Sequence, residues 1–235
     1  MIFDIPNRIG LVNLLMQRTG GKVYQGPFEG MTITPNYAWG DGDTAGKLLG
    51  IYEDELYEYL EEVIESKPDL IVNFGCAEGY YGLGMHIRTG ARTVLIDQDA
   101  NALSCGAKNA EANNLTVDTT NNNTPEYLGA LLAGGENPFL FMDCEGYEDV
   151  ILDPELVTTL KHTTIMVESH DCNIPGITLK LTERFKDTHD IVTIPQGTKN
   201  PHTPITQDLS DEQKALIVCE FRPHTMFWLY MTPKK

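Results

Sequence analysis

Leu56, Leu60, Val63 and Ile64 recur at helical spacing in EDELYEYLEEVIES, and acids crowd its N-terminal turn, so the pattern predicts a helix over 53–66 that Pro68 ends. Beyond it, short apolar runs alternate with amphipathic stretches. DLIVNFG (69–75), RTVLIDQD (92–99), FLFMDCEG (139–146) and TTIMVESHD (163–171) read as buried strands, and LTVDTT (115–120) as a weaker one. DIVTI (190–194) and TMFWLYM (225–231) are the last two. Helices are expected over 79–89, over 99–113 with Asp99 as N-cap, over 125–133 closed by Gly134 and Gly135, over 175–186 and over 211–222, with a short one after Pro154. Residues 1–50, punctuated by glycines at 20, 21, 26, 30, 40, 42, 46 and 50, read as loops with short elements, and 196–209 as a Pro- and Thr-rich loop.

Strand and helix alternating in this rhythm define an α/β fold, a doubly wound and mostly parallel sheet with helices on both faces. The chain of 235 residues reads as a single domain, 1–235, with an N-terminal cap and helix over 1–68 and a core over 69–235. Asp and Glu total 34 against 17 Lys and Arg, a net charge of −17 that repels phosphate backbones and anionic lipid, so neither nucleic acid nor a membrane is an expected partner. No apolar run reaches the roughly 18 residues of a membrane-spanning helix, and MIFDIPNRIG lacks the basic-then-apolar pattern of a signal peptide. The cysteines at 76, 105, 144, 172 and 219 form no C-x-x-C pair, which argues against a zinc ribbon or a disulfide framework and for a reducing, cytoplasmic setting.

In such sheets ligands bind beyond the carboxyl ends of the strands. After the first strand comes Asn73-Phe-Gly75-Cys-Ala77-Glu78-Gly79-Tyr80, where small residues at 75, 77 and 79 allow a sharp turn and close approach of a ligand. Tyr80 stands where a dinucleotide fingerprint wants glycine or alanine, which disfavours a nicotinamide dehydrogenase, and G-x-A-x-G instead fits the glycine motif of enzymes that use S-adenosylmethionine. Asp97, 22 residues beyond Gly75 and followed by Gln98, is placed to accept both ribose hydroxyls of an adenosine. After the fourth strand, Asp143 and Glu145 are two apart and expected on one side; after the fifth, Glu168 and His170 repeat that spacing. Four ionisable groups therefore converge on two strand ends.

IVNFGCAEGYYGLGM (71–85), Asp97, MDCEGYEDVILDPE (142–155) and MVESHD (166–171) together resemble the FkbM family of S-adenosylmethionine-dependent methyltransferases. GPFEGMTI (26–33), KLLGIYEDEL (47–56), IPGITLKLTERF (174–185), THDI (188–191) and EFRPHTMFWLYMTP (220–233) extend the resemblance over nearly the whole chain. It implies a seven-stranded Rossmann-like sheet of the class I type with the last strand antiparallel. It also implies S-adenosylmethionine lying across Asn73, Gly75, Ala77, Glu78, Gly79, Tyr80, Asp97, Gln98 and Asp143. Asn73 departs from the usual acid at the first position of the motif, though its amide oxygen can still accept a hydrogen bond. Asn122 and Asn123 stand where the third strand lacks an acid for the adenine, and Glu53 is either a contact to cofactor or acceptor or an acid at a helix N-terminus.

Methyl transfer to a hydroxyl needs a base; His170, whose ordinary pKa is near neutrality, is the first choice, with Asp143 second and Glu145 beside them. Asp143, Glu145, Glu168 and His170 also have the chemistry of a divalent-metal site, but no metal is expected. The place of the Asn/Asp-Pro-Pro-aromatic motif of amino-group methyltransferases holds Asp-Cys-Glu-Gly, which favours a small-molecule or sugar hydroxyl as acceptor. The alternatives are N- or carboxyl-methylation of a peptide or small molecule, or a non-catalytic cofactor-binding scaffold. Residues 1–50 and 196–209 are expected to cover the crevice; Tyr37 and the turn 40–43 are candidates there, whereas Trp39 reads better as core and Arg222 and Trp228 as structural. A monomer or a homodimer is expected.

Overall fold

The computed structural model describes residues 8–36, 38, 43–219 and 226–235. Seven strands form one sheet: β1 Leu70–Phe74, β2 Arg92–Ile96, β3 Asp118–Thr120, β4 Pro138–Met142, β5 Thr164–Ser169, β6 His189–Pro195 and β7 Phe227–Pro233. Their order is β3-β2-β1-β4-β5-β7-β6, and β7 runs antiparallel to both neighbours while the others are parallel. The register sets Phe74 of β1 beside Ile96 on one side and Met142 on the other, so three strands end level and release their chains at one edge.

Side chains alternate strictly across the sheet, which divides the core in two. Ile71, Leu95, Phe139, Phe141, Met166 and Trp228 face one way; Val72, Phe74, Val94, Ile96, Leu140, Met142, Ile165 and Val167 face the other. Helices α1 Arg8–Thr19, α2 Thr44–Leu49, α3 Tyr57–Ser66, α4 Tyr80–Thr89 and α5 Ala100–Ala112 pack on the first face. Helices α6 Pro125–Leu132, α7 Glu148–Ile151 and α8 Ile177–Phe185 cover the second, and α9 Asp211–Val218 returns to the first.

The N-terminal region is more helical than its glycines suggested. Leu11, Val12 and Leu15 of α1 and Leu48 and Leu49 of α2 are fully buried in the first core, each burial worth about 1.5–3 kcal/mol. The expected helix over 53–66 is a 3-10 turn, Asp54–Leu56, followed by α3, because Glu53 adopts a left-handed conformation with φ +48°. The short helix expected after Pro154 instead precedes it as α7, and a 3-10 turn over Thr158–His162 follows. Asp99 caps α5 as expected, accepting the Asn101 N–H at 2.9 Å. No helix among the described residues is long and apolar enough to cross a membrane.

Two helical glycines separate propensity from packing. Gly10 on α1 has open space where a side chain would begin, whereas a carbon added to Gly84 on α4 would enter the ring of buried Phe28, which packs edge-on against Tyr80 and Tyr81 at 5.3 and 6.0 Å. Gly10→Ala is expected to stabilise the protein by about 0.5–1 kcal/mol and Gly84→Ala to destabilise it by about 1–3 kcal/mol in urea unfolding.

Candidate active site

The carboxyl ends of β1, β2, β4 and β5 open into a cavity of about 1000 Å³. On leaving β1 the chain turns at Gly75, and three residues in alternation are left-handed: Gly75 at φ +74°, Ala77 at +47° and Gly79 at +83°. Glycine at 75 and 79 is thus favoured by backbone conformation, whereas Ala77 takes the left-handed conformation with its methyl group in place. At Gly75 there is no room for a side chain, because its first carbon would fall on the carbonyl oxygen of Asp143, just past β4.

Two side chains hold this loop. Asp97 Oδ2 accepts the Ala77 N–H at 3.0 Å while Oδ1 accepts the Asp99 N–H at 2.9 Å. Its burial raises its pKa despite those bonds, and the carboxylate still lines the cavity. Asn73 Oδ1 accepts the Gly82 N–H at 2.9 Å, satisfying one of the orphan donors in the first turn of α4. The amide expected to greet a ligand therefore also caps a helix, and it remains on the cavity wall.

The other expected contacts fall around this loop. Glu78, Tyr80 and Gln98 line the cavity. Of the two asparagines after β3, Asn123 lines it, while Asn122 is a turn residue whose Oδ1 accepts the Thr124 hydroxyl at 3.0 Å. Glu53 is buried and accepts the Tyr81 hydroxyl, with the Tyr81 ring stacked on Phe141 at 4.0 Å; it makes no helix cap. Lys47 of α2 was not anticipated. It pairs with Glu78 on the cavity wall, and its ammonium sits 4.6 Å from the centroid of Tyr52, a cation–π distance. Reading residues 1–50 as loops hid it.

Across the cavity, His170 is 2% exposed and organises a cluster of carboxylates. Its Nδ1 is bonded to Glu148 Oε1, from the fully buried side chain of Glu148 on α7. Its Nε2 stands 3.5 Å from Asp143 Oδ1, 3.5 Å from Glu168 Oε2 and 3.7 Å from Glu145 Oε2. Burial opposes charge on this ring, but Glu148, Glu168 and Asp143 outweigh it and push its pKa up to about 11. The near-neutral titration expected of His170 is therefore not what this environment gives. Burial and the Glu168 carboxylate push Asp143 well above the usual range. Glu148 escaped sequence reasoning because it lies 22 residues before its partner on a short helix.

The parity argument for Asp143 and Glu145 does not hold in the form expected. β4 ends at Met142, and the backbone is left-handed at Glu145, φ +55°. Glu145 reaches the cluster from a turn with its side chain 73% exposed. The loop 196–209 contributes nothing to the cavity wall; Lys199 forms a buried pair with Glu55 at 3.5 Å, and Arg18 holds Asp208 at 2.7 Å. Asp43 and Thr44 do line the cavity, whereas Tyr37, Trp39, residues 40–42 and Arg222 lie outside the described residues. Trp228 is buried against Phe141, as expected of a structural residue.

With this geometry in view, comparison with solved structures decides the fold. An O-methyltransferase from Bacillus cereus, solved with S-adenosylhomocysteine, has a TM-score of 0.50 at 13% identity, covering 96% of this chain and 91% of its own. The protein yhhF of Escherichia coli, described as a methyltransferase, has a TM-score of 0.51 at 15% identity, covering 90% and 97%. The chain has the class I methyltransferase fold. No family model matches the chain, and no curated protein is similar to it.

The Asn73 bond separates two substitutions. Asn73→Leu leaves the buried Gly82 N–H without its acceptor and is expected to cost about 1–3 kcal/mol in chemical unfolding. Asn73→Asp keeps an acceptor and adds negative charge at a helix N-terminus, so it should stay within about 0.5 kcal/mol of wild type.

Proposed function

We propose that the protein is an S-adenosylmethionine-dependent methyltransferase acting on the hydroxyl of a small molecule or sugar. The observation that carries this reading is the left-handed loop Gly75–Gly79, held onto Asp97, opening into the same cavity as Asp143 and His170. The resemblance of the segments around 71–85, 142–155 and 166–171 to the FkbM family supports it, as does the fold.

The residues present fit the cofactor. The cavity is of the size that takes a ligand of this kind. Asp97 would hold the ribose hydroxyls, Asn123 would flank the adenine, and Asn73, Glu78 and the loop backbone would take the methionine end. A wall that carries Glu78, Asp97, Asp143, Glu145 and Glu168 suits a ligand with a positive sulfonium. Bound S-adenosylmethionine would supply a methyl group activated by its sulfonium for transfer to the acceptor oxygen. The Asp143–Glu168–His170 cluster, where carboxylates outnumber the one imidazole, would take the hydroxyl proton. Glu148 orients that imidazole, and Phe141, Tyr80 and Met226 on the cavity wall keep water from the reacting atoms. Asp-Cys-Glu-Gly at 143–146 supports oxygen rather than a ring or amide nitrogen as the acceptor atom.

Calorimetric titration with S-adenosylhomocysteine tests the reading, with NADH as control. Micromolar binding is expected for the wild type. Asp97→Ala should weaken it at least about 100-fold, or about 2.8 kcal/mol, in the range for loss of charge-assisted hydrogen bonds. Asp97→Asn, which keeps an acceptor for Ala77, should weaken it less. Absence of S-adenosylhomocysteine binding, or equal affinity in Asp97→Ala, overturns the proposal.

A further inference from the structure

We propose that Asp143, Glu168 and His170 form a binding site for one divalent cation of the Mn²⁺ class, on the wall of the cavity. This departs from the expectation, drawn from the chain alone, that no metal is used. One carboxylate oxygen from each acid and Nε2 of His170 lie within 4.8 Å of one another. Nε2 stands 3.5 Å from Asp143 Oδ1 and 3.5 Å from Glu168 Oε2. Donors sharing a cation at bond lengths of about 2.1 Å lie roughly 3.0–3.5 Å apart, so these three atoms stand close to the spacing of a coordination shell.

Two further observations point to an ion, independently of the acidity of the cluster. Asp143 Oδ1 is wholly buried and has no hydrogen-bond partner, and it is this atom that faces His170. His170 is itself 2% exposed and aims Nε2 among the carboxylates. The second observation is Glu148. Its buried carboxylate is bonded to Nδ1 and holds the ring with Nε2 among Asp143, Glu145 and Glu168, the arrangement by which a carboxylate behind a histidine orients it toward a metal. Three carboxylates gather at Nε2, more negative charge than one imidazole balances, and a cation among them balances the remainder.

The donor set selects the class of ion. Two carboxylates and one imidazole, with no thiolate among the three, suit a cation that accepts both oxygen and nitrogen, and Mn²⁺ does so more readily than Ca²⁺ or Cu⁺. Glu145, 3.7 Å from Nε2 on the exposed rim, is placed to hold a coordinated water. The ion site stands on these residues alone; its use, to grip the acceptor's hydroxyl oxygen and lower its pKa, rests on the methyltransferase reading.

The test is a Mn²⁺ titration of the whole chain, followed by the electron paramagnetic resonance of free Mn²⁺. One saturable site per chain is expected, weakened at least about tenfold in Glu168→Gln and in His170→Gln, and about 10–100-fold in Glu148→Gln. Asp208→Asn, on the far surface, should bind as wild type does, and circular dichroism melts identify any variant that fails to fold. If the His170 or Glu168 variant does not fold, Asp143→Asn serves in its place with the same expected loss. No saturable uptake by the wild type, or uptake unchanged in folded variants of these ligands, overturns the proposal. A parallel S-adenosylhomocysteine titration separates the two readings. Mn²⁺ binding without it leaves the ion site and removes the methyltransferase, and the reverse result removes only the ion.

Discussion

The turn at Gly75 presses against the carbonyl of Asp143 so closely that no side chain fits between them. Everything in the cavity depends on that approach. It exists because β1 and β4 are neighbours ending level, Phe74 beside Met142, with the Asp143 N–H bonded to the Phe74 carbonyl at 3.0 Å. Two chain segments leave the sheet at the same edge and must part within a single residue. Only glycine at 75 lets the first fold back over β2, where the N–H groups of Gly75 and Cys76 both reach the Ile96 carbonyl. Asp97 takes the next N–H of the loop, and the second segment is left free to carry Asp143 toward β5. One close backbone contact thus separates the glycine loop from the Asp143–His170 cluster and fixes the distance between them.

The sheet gives this contact its rigidity. Both faces are covered, and the residues on them are buried almost without exception along β1, β4 and β5. The N-terminal helices matter to the site as much as to the core. α2 carries Lys47 to the cavity wall and α4 carries Tyr81 to Glu53, so the first face of the core and the rim of the cavity are built from the same side chains. On the second face, α7 is a single turn that buries Ile151 in the core and Glu148 behind His170.

Much of this was legible in the chain. A buried parallel strand is a run of apolar residues with an abrupt polar end, and β1, β2, β4 and β5 announce themselves that way, with Asp97, Asp143 and His170 just past the ends. The glycine loop was legible because left-handed backbone at 75 and 79 restricts the residues that can stand there. Three features were not. α1 was hidden by the glycines that follow it, although Leu11, Val12 and Leu15 keep a helical spacing. Lys47 and Glu78 meet through tertiary packing, which no local pattern encodes. Glu145 lines the cavity beside Asp143 as expected, but from a left-handed turn past Met142, where strand parity no longer applies. The pKa of His170 was misjudged for a related reason: an imidazole at a strand end reads as near neutral until the buried carboxylate behind it is known.

A crystal structure of the protein grown with S-adenosylhomocysteine puts the division of the cavity to the test. The ribose hydroxyls should lie on Asp97, the homocysteine chain along Gly75–Gly79, and the sulfur should face Asp143 and His170. A ligand seated with its ribose away from Asp97, or with its sulfur turned from the Asp143–His170 cluster, would contradict it.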